Sequence, residues 1–326
     1  MPADGPVLVT GATGFIGRHL IRRLGADGRP VVALVRDGRA LDDADVLTTE
    51  VIPPDDAALR DLVARHRPVA CVHLATRFVA TQQVDDLGAL VEANILFGLR
   101  IAEACLAAES VPFIDTGTVW QHAGGAPYAP ANLYAATKQA LHDLLVDLAG
   151  RGLPVATLTL TDTYGPDDPR PKLVPRLLEV ARTGEVLPMG DGTGRLDLVH
   201  VDDVVDGFCL LLDRLTDPTD PLRPLPDAST VHALTSGAPC TVRELVDVAD
   251  GALGRPLPVA WGERAERAVD RRPAVPHDPP LPGWSPTVSL DEGLRRLFAP
   301  LRDGGIGDAA DLPGGVDPAA RTPQDQ

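Results

Sequence analysis

An apolar run, Val7-Leu8-Val9-Thr10, leads directly into Gly11-Ala12-Thr13-Gly14-Phe15-Ile16-Gly17, and this segment constrains the chain more than any other. Arg18-His19-Leu20-Ile21-Arg22-Arg23-Leu24 comes next, with its apolar residues at helical spacing. Strand, glycine-rich turn and helix N-terminus together make a cradle for a diphosphate. Glycines let the backbone approach the phosphates, whose charge meets free N–H groups and the positive end of the helix dipole. A glycine-rich turn alone often only caps a strand, so the flanking elements decide the matter. They mark Gly11, Thr13, Gly14, Phe15, Ile16 and Gly17 as dinucleotide-binding candidates.

The pattern continues as an alternation. Strands are expected at 6–10, 30–35, 69–73, 111–115 and 154–160, with helices near 14–25, 55–65, 88–108 and 131–149. Alternation of this kind predicts an α/β fold, a doubly wound parallel Rossmann sheet. After Gly165 short elements are separated by Pro-rich segments, which predicts a smaller, interleaved substrate-binding domain. The expected division is 1–165 for the dinucleotide domain and mainly 166–302 for the substrate domain. The stretch Leu196–Leu212 is expected to return a strand and helix to the main sheet, so that 196–215 and part of 228–236 rejoin it. Thr241-Val242-Arg243-Glu244 and Ser289-Leu290-Asp291-Glu292 read as capping boxes. Residues 303–326 are mostly Gly, Asp, Ala and Pro with little to bury, and read as a disordered tail.

Composition narrows the function classes. No run of 18 apolar residues occurs, and Met1-Pro2-Ala3-Asp4 lacks a basic leader, so neither a membrane span nor a signal peptide is expected, and the cytoplasm is the expected compartment. Cys71, Cys105, Cys209 and Cys240 are far apart and read as free thiols, with no metal site. A net charge of −16 disfavours nucleic acid, and requires a local basic pocket for any anionic substrate.

Only two lysines, Lys138 and Lys172, occur; every other basic side chain among the Lys and Arg residues is arginine. Lys138 lies four residues after Tyr134, which puts phenol and ammonium on one helical face a turn apart. A cation there lowers the pKa of a neighbouring phenol, and a compact ammonium can also hydrogen-bond a sugar hydroxyl. Cofactor choice turns on the residues just after Val31-Val32-Ala33-Leu34-Val35. An acid there binds the ribose of NAD, whereas an arginine can meet the 2′-phosphate of NADP. The chain has Arg36, Asp37, Gly38 and Arg39, which favours NADP(H) through Arg36 and Arg39; with Asp37 on the ribose instead, NAD(H) is possible.

With Gly11–Gly17 at the start and Tyr134-Ala135-Ala136-Thr137-Lys138 further on, the chain resembles the extended short-chain dehydrogenase/reductase family of nucleotide-sugar epimerases, dehydratases and ketoreductases. Val72-His73-Leu74-Ala75, Asn94-Ile95-Leu96-Phe97-Gly98, Tyr164-Gly165-Pro166, Gly190-Asp191-Gly192, Val199-His200-Val201-Asp202-Asp203 and Gly283-Trp284-Ser285-Pro286 resemble further family segments in order. The resemblance implies a catalytic set of Thr116, Tyr134 and Lys138. It also implies cofactor contacts from Leu74, Ala75, Thr76, Asn94, Tyr134 and Lys138, and a homodimer. Ala93, Ile101, Ala104, Leu141, Leu144 and Leu148 are the candidate apolar stripe for that dimer, although the same residues could instead face the sheet.

Phe113-Ile114-Asp115-Thr116-Gly117-Thr118-Val119-Trp120 is similar to the family's Ser/Thr-x-x-Val-Tyr segment, with Trp120 in place of Tyr. Trp120-Gln121-His122 and Asp162–Lys172 resemble bacterial CDP- and dTDP-hexose ketoreductases. Family 4,6-dehydratases carry Asp-Glu after the catalytic hydroxyl, where this chain has Gly117 and Thr118. The implied activity is NADPH-dependent reduction of a 4-keto-6-deoxy nucleotide sugar. A 4-epimerase with tightly bound NAD would share every catalytic residue, and a noncatalytic dinucleotide sensor would need only the glycine loop. Thr118, Trp120, Arg170, Lys172 and Arg195 are the candidates for a nucleotide-diphosphate sugar, Arg195 standing one residue from the family's diphosphate arginine.

Overall fold

In the computed structural model, residues 5–36, 41, 46–79, 83–221, 229–265 and 276–303 are described. The strands β1 (Val7–Thr10), β2 (Val31–Val35) and β4 (Ala70–His73) are buried at every position, as expected of strands covered by helices on both faces. They join β3 (Thr48–Val51), β5 (Phe113–Thr118), β6 (Val155–Leu160) and a late strand, β11 (Ser229–Leu234), in a seven-stranded sheet of order β11-β6-β5-β4-β1-β2-β3. Every pairing in it is parallel. The order reverses between β1 and β4, and a sheet of this type binds ligands beyond the carboxyl ends of its strands at that switch point.

Two cores fill the faces of the sheet. On one, α1 (Phe15–Ala26) and α7 (Val201–Thr216) pack Leu20, Ile21, Leu24, Val204, Phe208 and Leu212 against β1 and β6. On the other lie α2 (Asp56–His66), α4 (Phe97–Ala107) and α5 (Leu133–Gly150). The helix expected over 88–108 is interrupted: α3 (Asp86–Val91) runs into a π turn, Glu92–Leu96, before α4 begins. A third core holds α6 (Leu173–Thr183), α8 (Val242–Leu253) and α9 (Leu290–Asp303), together with β8 (Leu187–Met189) and β13 (Val259–Trp261). Thr241 and Glu244 close the expected capping box on α8, and the Ser289 hydroxyl accepts from the Glu292 amide.

Three expectations need correction or restriction. The strand within Leu196–Leu212 does not rejoin the main sheet: β10 (Leu198–His200) pairs with β7 (Asp162–Tyr164) in a separate ribbon, and only the helix, α7, returns to pack on the main core. Four of the six stripe residues, Ile101, Ala104, Leu141 and Leu148, are buried in the core beneath the sheet; outward exposure falls to Leu87, Val91, Leu96, Leu144 and Val146. Helical period fixes which residues share a face, but not which face meets the sheet. Asp37, Arg39 and residues 304–326 of the expected tail lie outside the described residues, while Asp303 ends α9.

Candidate active site

The glycine loop has the shape a diphosphate cradle requires. Gly11 takes φ 68°, and a Cβ there would come within 2.6 Å of the Ala75 amide nitrogen. A Cβ on Gly17 would lie 2.2 Å from the Gly11 carbonyl oxygen, so helix and loop approach this closely only because residue 17 is glycine. Gly14 is the N-cap of α1, with no side chain capping the free amides and no acid in the first turn. That end of the helix is open to an anion, and a nicotinamide dinucleotide fits the donor set. Thr13 is exposed on the rim, Phe15 is buried beneath it, and Ile16 packs on the core.

Beside the loop, Thr10 ties β1 to the end of β4. Its carbonyl accepts from the Leu74 amide, and its hydroxyl accepts from the Ala75 amide at 3.2 Å. Asn94, on the π turn, is wholly buried and spends its amide inside the protein. It accepts from the Thr76 hydroxyl and the Arg77 amide, and donates to the Arg77 carbonyl and the Thr137 hydroxyl. Asn94 therefore pins the 74–77 loop to α5 rather than presenting a free side chain to a cofactor. Arg36 stands exposed just past β2.

Thr116 lies on β5, which runs past the end expected at 115, and its hydroxyl donates to the His73 carbonyl at 3.0 Å. α5 carries Tyr134 and Lys138, and opens on Asn132, whose side chain accepts from the Ala135 amide. Burial pushes the Tyr134 phenol up to about 12; a hydrogen bond with Thr76 pulls down, and the charge of Asp115 pushes up again. The phenol is therefore protonated at neutral pH. Lys138 is 2% exposed, its Nζ 3.7 Å from Oδ1 of Asp115, itself 1% exposed. Helix and strand are locked by a buried amide chain: Gln121 accepts from the Thr118 amide and donates to Gln139, which donates to Asp143. The Thr118 hydroxyl accepts from the Trp120 amide at 3.3 Å.

The mouth of the site is aromatic. The Phe78 ring lies 5.0 Å from Tyr134 and 5.8 Å from Trp120, and the Lys172 ammonium sits 4.4 Å above Phe78 and 5.4 Å from Trp120. Lys172 also pairs with Asp162 at 3.0 Å. Lys172 thus stands over Phe78, the ring that meets Tyr134 edge-on. Arg170 is held by Asp168 through two nitrogens and by the Thr163 carbonyl, with its guanidinium 4.5 Å above the Phe15 ring of the glycine loop. Arg195, on β9 (Arg195–Leu196), is exposed and donates to the Pro239 carbonyl; it is not gathered with Arg170 and Lys172 by any contact of its own.

Sequence reasoning passed over Asp115, Phe78 and the Gln121–Gln139 link. A signal for Asp115 was available, since a carboxylate directly after Phe113-Ile114 at a strand end demands a partner. Asp203 was read only as part of a family segment. It is buried, and accepts from Thr287 and Val288, fastening the segment after Trp284 to the start of α7.

The profile of the NAD dependent epimerase/dehydratase family matches residues 7–221, well over half of the chain. The chain belongs to that family. It is accordingly an enzyme of the extended short-chain dehydrogenase/reductase type. A UDP-glucose 4-epimerase of Mycolicibacterium smegmatis is 29% identical over 91% of this chain and 98% of its own length. A dTDP-glucose 4,6-dehydratase of Neisseria meningitidis is 31% identical over 60% of this chain and 64% of its own. Among solved structures, MoeE5 in complex with UDP-glucuronic acid and NAD is 28% identical, with a TM-score of 0.71, covering 89% of this chain and 96% of that one. A UDP-glucose 4-epimerase of Thermotoga maritima, 24% identical, covers 91% and 98% with a TM-score of 0.76, and shares the fold.

Proposed function

We propose that this enzyme reduces the 4-keto group of a 6-deoxy nucleotide sugar, using NADPH. The nucleotide-sugar class is supported by relatives named as UDP-glucose 4-epimerases and dTDP-glucose 4,6-dehydratases, and by solved neighbours holding UDP-sugars with NAD. A bound nicotinamide dinucleotide supplies the hydride. Gly11–Gly17 would hold its diphosphate, Ala75 and Thr76 would line it, and Arg36 would meet a 2′-phosphate. Thr116 polarises the ketone once its hydroxyl turns from the His73 carbonyl, Tyr134 gives its proton to the ketone oxygen, and Lys138 orders phenol and ribose. Lys172, Trp120 and Thr118 face the sugar, and a homodimer would form through the outward Leu87, Val91, Leu96 and Leu144.

One observation sets this reading apart from dehydration: among the described residues, no unpaired carboxylate stands beside the two lysines. Among the described residues the carboxylates nearest the two lysines, Asp115 and Asp162, are each ion-paired to one of them. Dehydration needs a further acid and base next to the catalytic hydroxyl; this chain has Gly117 and Thr118 there, and a side chain at Gly117 would be crowded. A Cβ there would meet Gln121 Oε1 at 3.0 Å and Thr157 and Thr159 at 3.2 Å. Net reduction over epimerisation is supported by Arg36, exposed just past β2, where an exchanging NADPH would carry its 2′-phosphate.

The test is a panel of 4-keto-6-deoxy nucleotide sugars with NADPH and NADH, followed at the nicotinamide absorbance and by product stereochemistry. Stoichiometric NADPH oxidation is expected, and Arg36→Ala should weaken NADPH roughly 10-fold or more while leaving NADH unchanged. The second reading, a 4-epimerase, is favoured by the full-length match to such an enzyme. Tightly copurified NAD with interconversion of UDP-sugars, and no net cofactor consumption, would establish it and overturn the reductase.

A further inference from the structure

The parallel register draws one polar row across four strands. Thr10 pairs with His73, His73 with Asp115, and Asp115 with Thr157. All four are essentially inaccessible to solvent. Thr10 and His73 satisfy one another at 2.8 Å. The remaining atoms, His73 Nε2, Asp115 Oδ1 and Thr157 Oγ1, have no hydrogen-bond partner among the described residues. A buried row with so much unmet polarity is costly unless a charge answers it.

The groups facing Asp115 are few. β4 presents His73, which burial holds at about 4 and hence neutral. β6 presents Thr157, and α4 presents Gly98, whose position lies against His73 Nε2. α5 presents Lys138, with its ammonium 3.7 Å from the orphan oxygen. At that distance the contact is electrostatic rather than a hydrogen bond. The cation expected to draw a proton off Tyr134 therefore reaches the site already matched by a buried anion.

We propose that Asp115 is a positioning residue: its carboxylate fixes the Lys138 ammonium and offsets its charge, so that Tyr134 rests as a phenol and the site waits as a proton donor. The direction of catalysis this implies rests on the ketone-reduction reading above. In that step the carbonyl carbon gains hydride from the reduced nicotinamide, which is oxidised. The carbonyl oxygen takes the Tyr134 proton as the O–H bond breaks, leaving a tyrosinate beside Lys138 that recovers a proton from solvent. Asp115 touches no reacting atom. It acts through the lysine, and its field on the phenol has the sign the role requires.

The chain has three tyrosines, so labelling their ζ carbons with ¹³C gives three NMR signals, and Tyr134→Phe assigns one. Asp115→Asn keeps the shape and removes the charge. The Tyr134 titration midpoint should fall by about one pH unit or more, and the alkaline limb of ketone reduction should shift down equally. Should the Asn variant fail to fold, Asp115→Ser carries the same expectation. An unchanged Tyr134 midpoint in a folded variant overturns the proposal. A lowered midpoint in a protein that reduces no keto sugar supports the positioning role and overturns the ketone-reduction reading instead.

Discussion

The two lysines sit in contrasting regions. Lys138 is sealed between α5 and β5, 2% exposed, against an aspartate that is 1% exposed. Lys172 precedes α6 at the mouth, 27% exposed on two aromatic rings, and its aspartate is 20% exposed. Each has one carboxylate partner, yet the surroundings differ in kind. Around Lys138, Gln121, Gln139, Asn94 and Thr137 fix the backbone by buried hydrogen bonds. Around Lys172 the partners are ring faces and a solvent-touched ion pair, which can exchange for a ligand's oxygens at small cost. On the proposed function, chemistry would be built into the first region before substrate arrives, and selection left to the second.

The contrast is sharpened most by Tyr134→Phe. Turnover on a keto sugar should fall about 1,000-fold, the scale of a lost general acid, with NADPH binding retained in a direct titration. Near-native turnover would place the donor elsewhere and dissolve the distinction between the regions.

Acid should attack the buried region next. His73 is neutral in the fold at about 4, against an ordinary value of 6.5, so the unfolded chain binds the extra proton between those pH values. Stability is full above about 6.5 and falls as pH drops towards 4, by on the order of 3 kcal/mol from this group alone. Denaturant melts at pH 7, 5.5 and 4.5 check it, with His73→Gln flattening that part of the profile; a His73→Gln variant as acid-sensitive as the native protein would refute it.

The smallest effects separate the lysines directly. Lys138→Arg keeps the charge but puts a planar fork where a compact ammonium fits, and should cost turnover about 100-fold. Lys172→Arg should change turnover only a few-fold, roughly as expected for a partly exposed ion pair, and act mainly on KM. Equal losses in the two variants would mean that both regions are equally preorganised.

Much of this was legible in the sequence because it is local. Strand, glycine turn and helix are contiguous in Val7–Leu24, and four residues on a helix carry Tyr134 to Lys138. The contacts that cross the sheet were not legible. The row Thr10, His73, Asp115 and Thr157 exists only once strand order and register are known, since its members are spread over the first half of the chain. β10 was assigned to the main sheet because a strand before a helix fits that pattern; its true partner, β7, is a three-residue strand with no periodicity to read. Arg170 is a different case. Its partner Asp168 is two residues away, and so acidic a neighbour could have warned that this arginine was already engaged.

The late arrival of β11 has a consequence during synthesis. β6 is buried at all six positions and takes β11 along its whole length, but nearly seventy residues, including α6 and α7, separate the two in the chain. Until Ser229–Leu234 emerges, a nascent chain with its first six sheet strands paired would present β6 as a bare apolar edge, the kind that recruits strands from other molecules. Chaperone demand should therefore peak late, after the glycine cradle is complete, and a chain cut short before residue 229 should aggregate despite carrying every proposed catalytic residue.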